Sequence, residues 1–251
     1  MKQENLARIL GAGIVALGLC ATAQAHQIWL EQPEGENAVI RFGEFGYNLR
    51  ETSPGLLDNF GTPAAKLFAQ GKAKALTPVK AETGLTLPVR LASGESLTAE
   101  DARFPIRASK REGREGQEVR SWYWPAARFI TDFSSQKPSL ALDIVPAGKP
   151  GVFRITFKEK PLPKTEVQIL VQSGWGKKVY TNEDGEVTFD LPWQGQYVVE
   201  TSHIERTPGE RDGEKYDRIN YVTTLTFVQS TGATPPPAGP AAKPNPGKPT
   251  Q

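Results

Sequence analysis

The chain has 251 residues, with 30 basic and 28 acidic side chains and two histidines. So even a balance gives no electrostatic case for nucleic acid or an anionic membrane as partner. The single cysteine and single methionine, Cys20 and Met1, both fall in the first 25 residues. A chain cut after Ala25 would therefore contain no sulfur, which excludes disulfides, thiolate metal sites, iron–sulfur clusters and cysteine nucleophiles.

Residues 1–25 read as a secretory signal. Lys2 and Arg8 give a positive start, Ile9 to Leu19 is an apolar run, and Ala23 and Ala25 supply the small residues of a cleavage site. The run is shorter than the ~20 residues that span a bilayer. No later segment approaches that length, so no transmembrane segment is expected once the signal is removed. The expected compartment is the periplasm.

After the signal the periodicity is two, not 3.6, and the predicted fold class is all-β: two antiparallel β domains and a tail. Candidate strands of the N-terminal domain (26–148) lie at 26–32, 37–42, 84–91, 118–132 and 139–145. The mixed-charge run 107–120 reads as a solvated loop. Trp122-Tyr-Trp124 reads as core or cross-strand aromatics ahead of a sugar-stacking platform. Pro146-Ala-Gly-Lys-Pro150 is a plausible hinge.

The second domain (149–230) alternates more cleanly. Phe153, Ile155 and Phe157, then Val167, Ile169 and Val171, then Val187, Phe189 and Leu191 each take every second position. Six strands fit between Gly151 and Gln229, the pattern of an immunoglobulin-like or prealbumin-like sandwich. From Thr231 to Gln251 seven of 21 residues are proline. A segment so poor in apolar residues is expected to be a disordered, proline-rich tail.

Cleavage after Ala25 would leave His26 as the first residue. Its free α-amine and imidazole Nδ1 can close a six-membered chelate on one metal ion, and a second imidazole opposite would complete a histidine brace. Only His203 can supply that imidazole. It lies near the end of a predicted strand, Gln196 to Glu205, on one face with Tyr197, Val199, Thr201 and Glu205. His26 shares its face with Ile28 and Leu30, so its ring is drawn inward if they are core. The expected metal site is therefore His26 with His203, and Glu205, Tyr216 and Asp217 are further candidate ligands or supporting groups.

Several motifs add a family resemblance. His26-Gln-Ile-Trp-Leu-Glu31, Ser173-Gly-Trp-Gly-Lys-Lys178, Thr181-Asn-Glu-Asp-Gly-Glu-Val-Thr-Phe189 and Gly195-Gln-Tyr-Val-Val-Glu-Thr-Ser-His203 resemble a bacterial periplasmic family. So do Gly213-Glu-Lys-Tyr216 and Tyr221-Val-Thr-Thr-Leu-Thr226. That family is regarded as the periplasmic component of cobalt or nickel uptake systems, or simply as a domain of unknown function. The likeness spans most of 26–229 and is weakest from about 45 to 115. Residues 151–205 are also similar to carboxypeptidase-regulatory, prealbumin-like modules.

The resemblance implies nickel or cobalt, passed to a membrane metal transporter; the bare nitrogen ligands favour copper. The primary expectation is a periplasmic protein of metal uptake or homeostasis, with Ni, Co or Cu as its ion. Two alternatives compete with it. One is a histidine-brace copper oxidase acting on polysaccharide, and the other is a metal-free structural β module. Hydrolytic signatures such as Gly-x-Ser-x-Gly and His-Glu-x-x-His do not occur.

Overall fold

Short strands with alternating apolar residues must each bury one face, and here they do so in stacked layers. The computed structural model describes residues 26–110 and 118–245. The expected signal segment 1–25 lies outside the described residues. These are all-β apart from two short 3-10 turns, Phe45–Tyr47 and Leu56–Asn59. No helix among them is long and apolar enough to cross a membrane.

The first sheet has the order Gln27–Glu31, Val39–Glu44, Gly84–Thr86, Val79–Ala81, with Leu49–Arg50 also paired to Val39–Glu44. A central nine-stranded sheet lies against it, its middle built from Glu166–Val171, Gly195–Glu205, Arg218–Gln229, Glu118–Ile130 and Ser96–Glu100 in that order. A third sheet, centred on Leu142–Pro146 and Val152–Phe157, covers its other face. Neighbouring strands are antiparallel except Glu118–Ile130 and Arg218–Gln229, which run parallel.

Two cores result. Ile28, Leu30, Ile40, Phe42, Leu97 and Ala127 belong to the one beneath the first sheet. Ile144, Phe153, Ile155, Val199, Leu225 and Phe227 belong to the one beneath the third. Each fully buried large apolar side chain contributes about 1.5–3 kcal/mol. The boundary expected near 148 separates most of these cores in sequence, yet the central sheet runs through both. A buried ion pair, Arg128 Nη2 to Asp143 Oδ2 at 2.6 Å, adds a polar tie between that sheet and the third.

Register decides which face each residue serves. Gly195–Glu205 pairs with Arg218–Gln229 over eleven consecutive positions without a bulge. Glu118–Ile130 pairs with Arg218–Gln229 over nine. Trp124, Tyr221 and His203 therefore form one row across the sheet. Tyr123, Asn220 and Ile204 form the next row, on the opposite face.

Two expectations change. The segment 107–120 is not one loop: Ile106–Lys110 is a strand paired with Glu118–Trp122, and residues 111–117 between them lie outside the described residues. Of the tail expected over 231–251, residues 246–251 lie outside the described residues, and residues 231–245 stay against the body. Ala233 bridges Trp193, Ala242 bridges Leu49, and Asn48 Nδ2 donates to the Gly239 carbonyl at 2.9 Å. Composition missed this because a proline-rich strand needs no ladder of its own to dock by single hydrogen bonds.

Candidate metal centre at His26

One hairpin sets the surroundings of His26. The opening strand pairs Gln27 with Gly43, so one further step in register puts Glu44 opposite His26. Gly43 has φ +143°, and a Cβ there would meet the Leu49 carbonyl oxygen at 2.3 Å. Glycine thus lets the return strand, which pairs Leu49 with Glu44 and Arg50 with Gly43, approach the backbone closely. The 3-10 turn Phe45–Tyr47 returns through Asn48, which is left-handed at φ 51°. After Leu49–Arg50, the Glu51 backbone N–H donates to the Phe42 carbonyl at 2.8 Å. One short loop therefore carries a carboxylate to each side of the His26 ring.

His26 Nε2 lies 2.6 Å from Glu51 Oε1, and Nδ1 lies 3.3 Å from Glu44 Oε1. Glu51 is fully buried. Its other oxygen accepts the Asn245 backbone N–H at 2.8 Å, so the docked segment reaches the same carboxylate that orients the histidine. Among the described residues no lysine or arginine pairs with Glu51. The ring leans on Phe42 with centroids 5.2 Å apart, and the Tyr123 hydroxyl donates to the His26 carbonyl. Burial of that hydroxyl, with the Glu200 charge adding to it, pushes the Tyr123 pKa up.

A third carboxylate stands close by. Glu200 accepts from Gln27 Nε2 at 2.6 Å. Burial raises its pKa from the ordinary 4.5 to about 7; Lys178 opposes the shift and the Glu44 charge adds to it. Glu31, at the far end of the strand that begins at Gln27, is a different case. Burial alone would raise its pKa, but Arg41, Arg50 and the Trp29 indole hold it below the usual carboxylate range. Its oxygens are committed to those partners.

His203 lies elsewhere. It is half-buried on the third-sheet face, its ring 4.4 Å from that of Phe157, in the row of Tyr221 and Trp124. Burial lowers its pKa, with Glu205 pulling up and Lys158 pushing down. His26 stands on the other face, beside Tyr123. The expected meeting of the two rings at one rim is thus corrected: the central sheet separates them. Alternation placed His203 on its face correctly, but strand order, which no local pattern contains, decided what that face looks at.

The additional candidates are also committed elsewhere. Glu205 accepts from Lys158 at 2.7 Å and from the Tyr221 hydroxyl at 3.2 Å. The Tyr216 ring rests 5.3 Å from that of Trp122, and Asp217 Oδ2 accepts the Arg120 backbone N–H at 2.7 Å. Trp122 and Trp124 stack 4.9 Å apart on the His203 face, with their indole N–H groups bonded to the Ala102 carbonyl and to Glu100. Neither tryptophan lies beside His26.

Sequence reasoning missed Glu44, Glu51 and Tyr123. Glu51 sits in an irregular stretch where no period marks a face. Glu200 carried a signal: it alternates with Val199 and Thr201, so it had to face away from His203.

Whether these residues suit a metal is a matter of donors. Among the described residues, no group of three or more His, Cys, Asp or Glu side chains could hold one. Two side-chain donors, His26 Nδ1 and Glu44, do converge. Nitrogen and oxygen ligands each about 2.1 Å from one ion lie about 3.0–3.4 Å apart, and the observed 3.3 Å falls within that span. These two side chains alone fall short of a closed site, so a metal ion here would need a further donor. Compared with known proteins, the chain matches no family model, no curated protein and no solved structure.

Proposed function

We propose that this chain is an exported protein that binds one divalent transition-metal ion at a mature N-terminus begun by His26. The ligands are the α-amine, His26 Nδ1 and the Glu44 carboxylate. The observation that carries this reading is the pair of carboxylates on one imidazole: a fully buried Glu51 on Nε2 and Glu44 facing Nδ1. A carboxylate on the far nitrogen of a ligand histidine fixes its tautomer and makes it a better donor. With Nε2–H given to Glu51, the Nδ1 lone pair is aimed at the space before Glu44.

Two cations can satisfy that space, a proton on Nδ1 or a metal ion. Their competition makes affinity fall as pH falls, since the amine and imidazole must both be unprotonated to ligate. Two nitrogens and one carboxylate suit Cu²⁺, Ni²⁺ and Co²⁺, with intrinsic affinity greatest for Cu²⁺. Three protein donors leave positions open for exchange, which suits capture and delivery to a membrane transporter in metal uptake or homeostasis.

The test begins with protein recovered from the periplasm of an expressing bacterium. N-terminal sequencing should start at His26. Calorimetric titration at pH 7.5 should give submicromolar binding of Cu²⁺ or Ni²⁺, with Glu44→Gln at least tenfold weaker. Binding no tighter than micromolar by a chain that does begin at His26 sinks the proposal.

A further inference from the structure

A pocket of about 230 Å³ opens beside His26. Its walls are the rings of Phe42, Phe104 and Tyr123, with Leu56 alongside. These rings are braced edge to face, Phe104 on Tyr123 at 5.0 Å and Phe60 on both Phe42 and Phe104 at 4.8 and 4.9 Å. Such packing keeps the walls rigid and largely pre-formed, as small-molecule sites usually are.

The polar groups are few. Asn59 and Arg107 complete the lining with His26, and among the described residues no acidic side chain takes part. Arg107 is exposed, its guanidinium 5.8 Å from the Phe104 ring centroid. It makes no ion pair among the described residues. A planar cation at the edge of an aromatic pocket matches a carboxylate, which arginine can hold through two parallel hydrogen bonds. Size limits the rest: an apolar cavity of about 150 Å³ holds benzene. The space here therefore admits one ring and a short chain.

We propose that this pocket binds a small aromatic carboxylate, its ring against Phe42, Phe104 and Tyr123 and its carboxylate on Arg107. The inference goes beyond metal binding and does not depend on it.

The probe is 3-phenylpropionate, titrated into the full mature chain by calorimetry with a chelator present, so that metal plays no part. The expected dissociation constant is about 1 mM or lower. 3-Phenylpropylamine should bind at least tenfold more weakly, and propionate, which lacks the ring, should not bind detectably. Arg107→Gln should weaken 3-phenylpropionate about tenfold while leaving 3-phenylpropanol unchanged. Leu56→Trp, with its fold checked by circular dichroism, should abolish binding of all three ring compounds. No binding of 3-phenylpropionate, equal binding of the amine, or indifference to Arg107→Gln would each overturn the proposal. Because the metal titration uses no organic ligand, either idea can fail while the other stands.

Discussion

The two histidines stand on opposite faces of one sheet, and their surroundings share almost nothing. His26 has a carboxylate at each ring nitrogen, one of them fully buried. His203 has an aromatic ring against its face, and its nearby carboxylate, Glu205, is already paired with Lys158. The first arrangement concentrates negative charge around a nitrogen donor, which a cation would relieve. The second is a packed strand residue whose charges are settled. What a histidine can do is thus set by what its two nitrogens meet, and not by its rarity in the chain.

The sharpest way to break this contrast is to remove each ring in turn. His26→Ala should lower Ni²⁺ or Cu²⁺ affinity about 100-fold or more by calorimetry, because the chelate ring is lost. One extra residue before His26 should do nearly as much by turning the amine into an amide. His203→Ala should leave affinity within twofold. A large loss from His203→Ala would restore the two-histidine site and refute the geometry argued here.

A smaller effect isolates the orienting carboxylate. Glu51→Gln keeps a hydrogen-bond acceptor but not the charge, and should weaken metal binding by about 10–100-fold. The matching change beside the other histidine, Glu205→Gln, should have no effect in the same titration.

Next comes pH. Glu200 holds its proton to about pH 7 in the folded chain against 4.5 ordinarily. The folded state therefore binds more protons across that window, and metal-free stability should fall as pH rises from 4.5 to 7, by ~2 kcal/mol. Urea unfolding of Glu200→Gln should lack that decline and show greater stability at pH 8. An unchanged pH profile would show that Glu200 is not held protonated beside Glu44.

The smallest expected effect concerns the docked C-terminal segment, whose Asn245 N–H bonds Glu51 beside His26. Ending the chain before Gly239 removes the bonds to Asn48 and Glu51. Unfolding should show a loss of about 1 kcal/mol or less, and metal affinity should fall by about two- to fivefold. No change in either would mean that the docked segment does not support Glu51.

Read along the chain, alternation alone determined much of this molecule: the all-β class, the strands at both histidines, and the sides taken by Ile28, Leu30, Tyr197 and Val199. These are local properties, because successive side chains of a strand point to opposite faces whatever the strand pairs with. The tertiary structure decided the rest. It placed one sheet between His26 and His203, drew Glu44 and Glu51 to the two sides of one ring, and laid residues 231–245 back across the body. Each depends on pairings between distant segments, and the hairpin turn after Glu44 and the parallel pairing of Glu118–Ile130 with Arg218–Gln229 leave no periodic trace in the sequence.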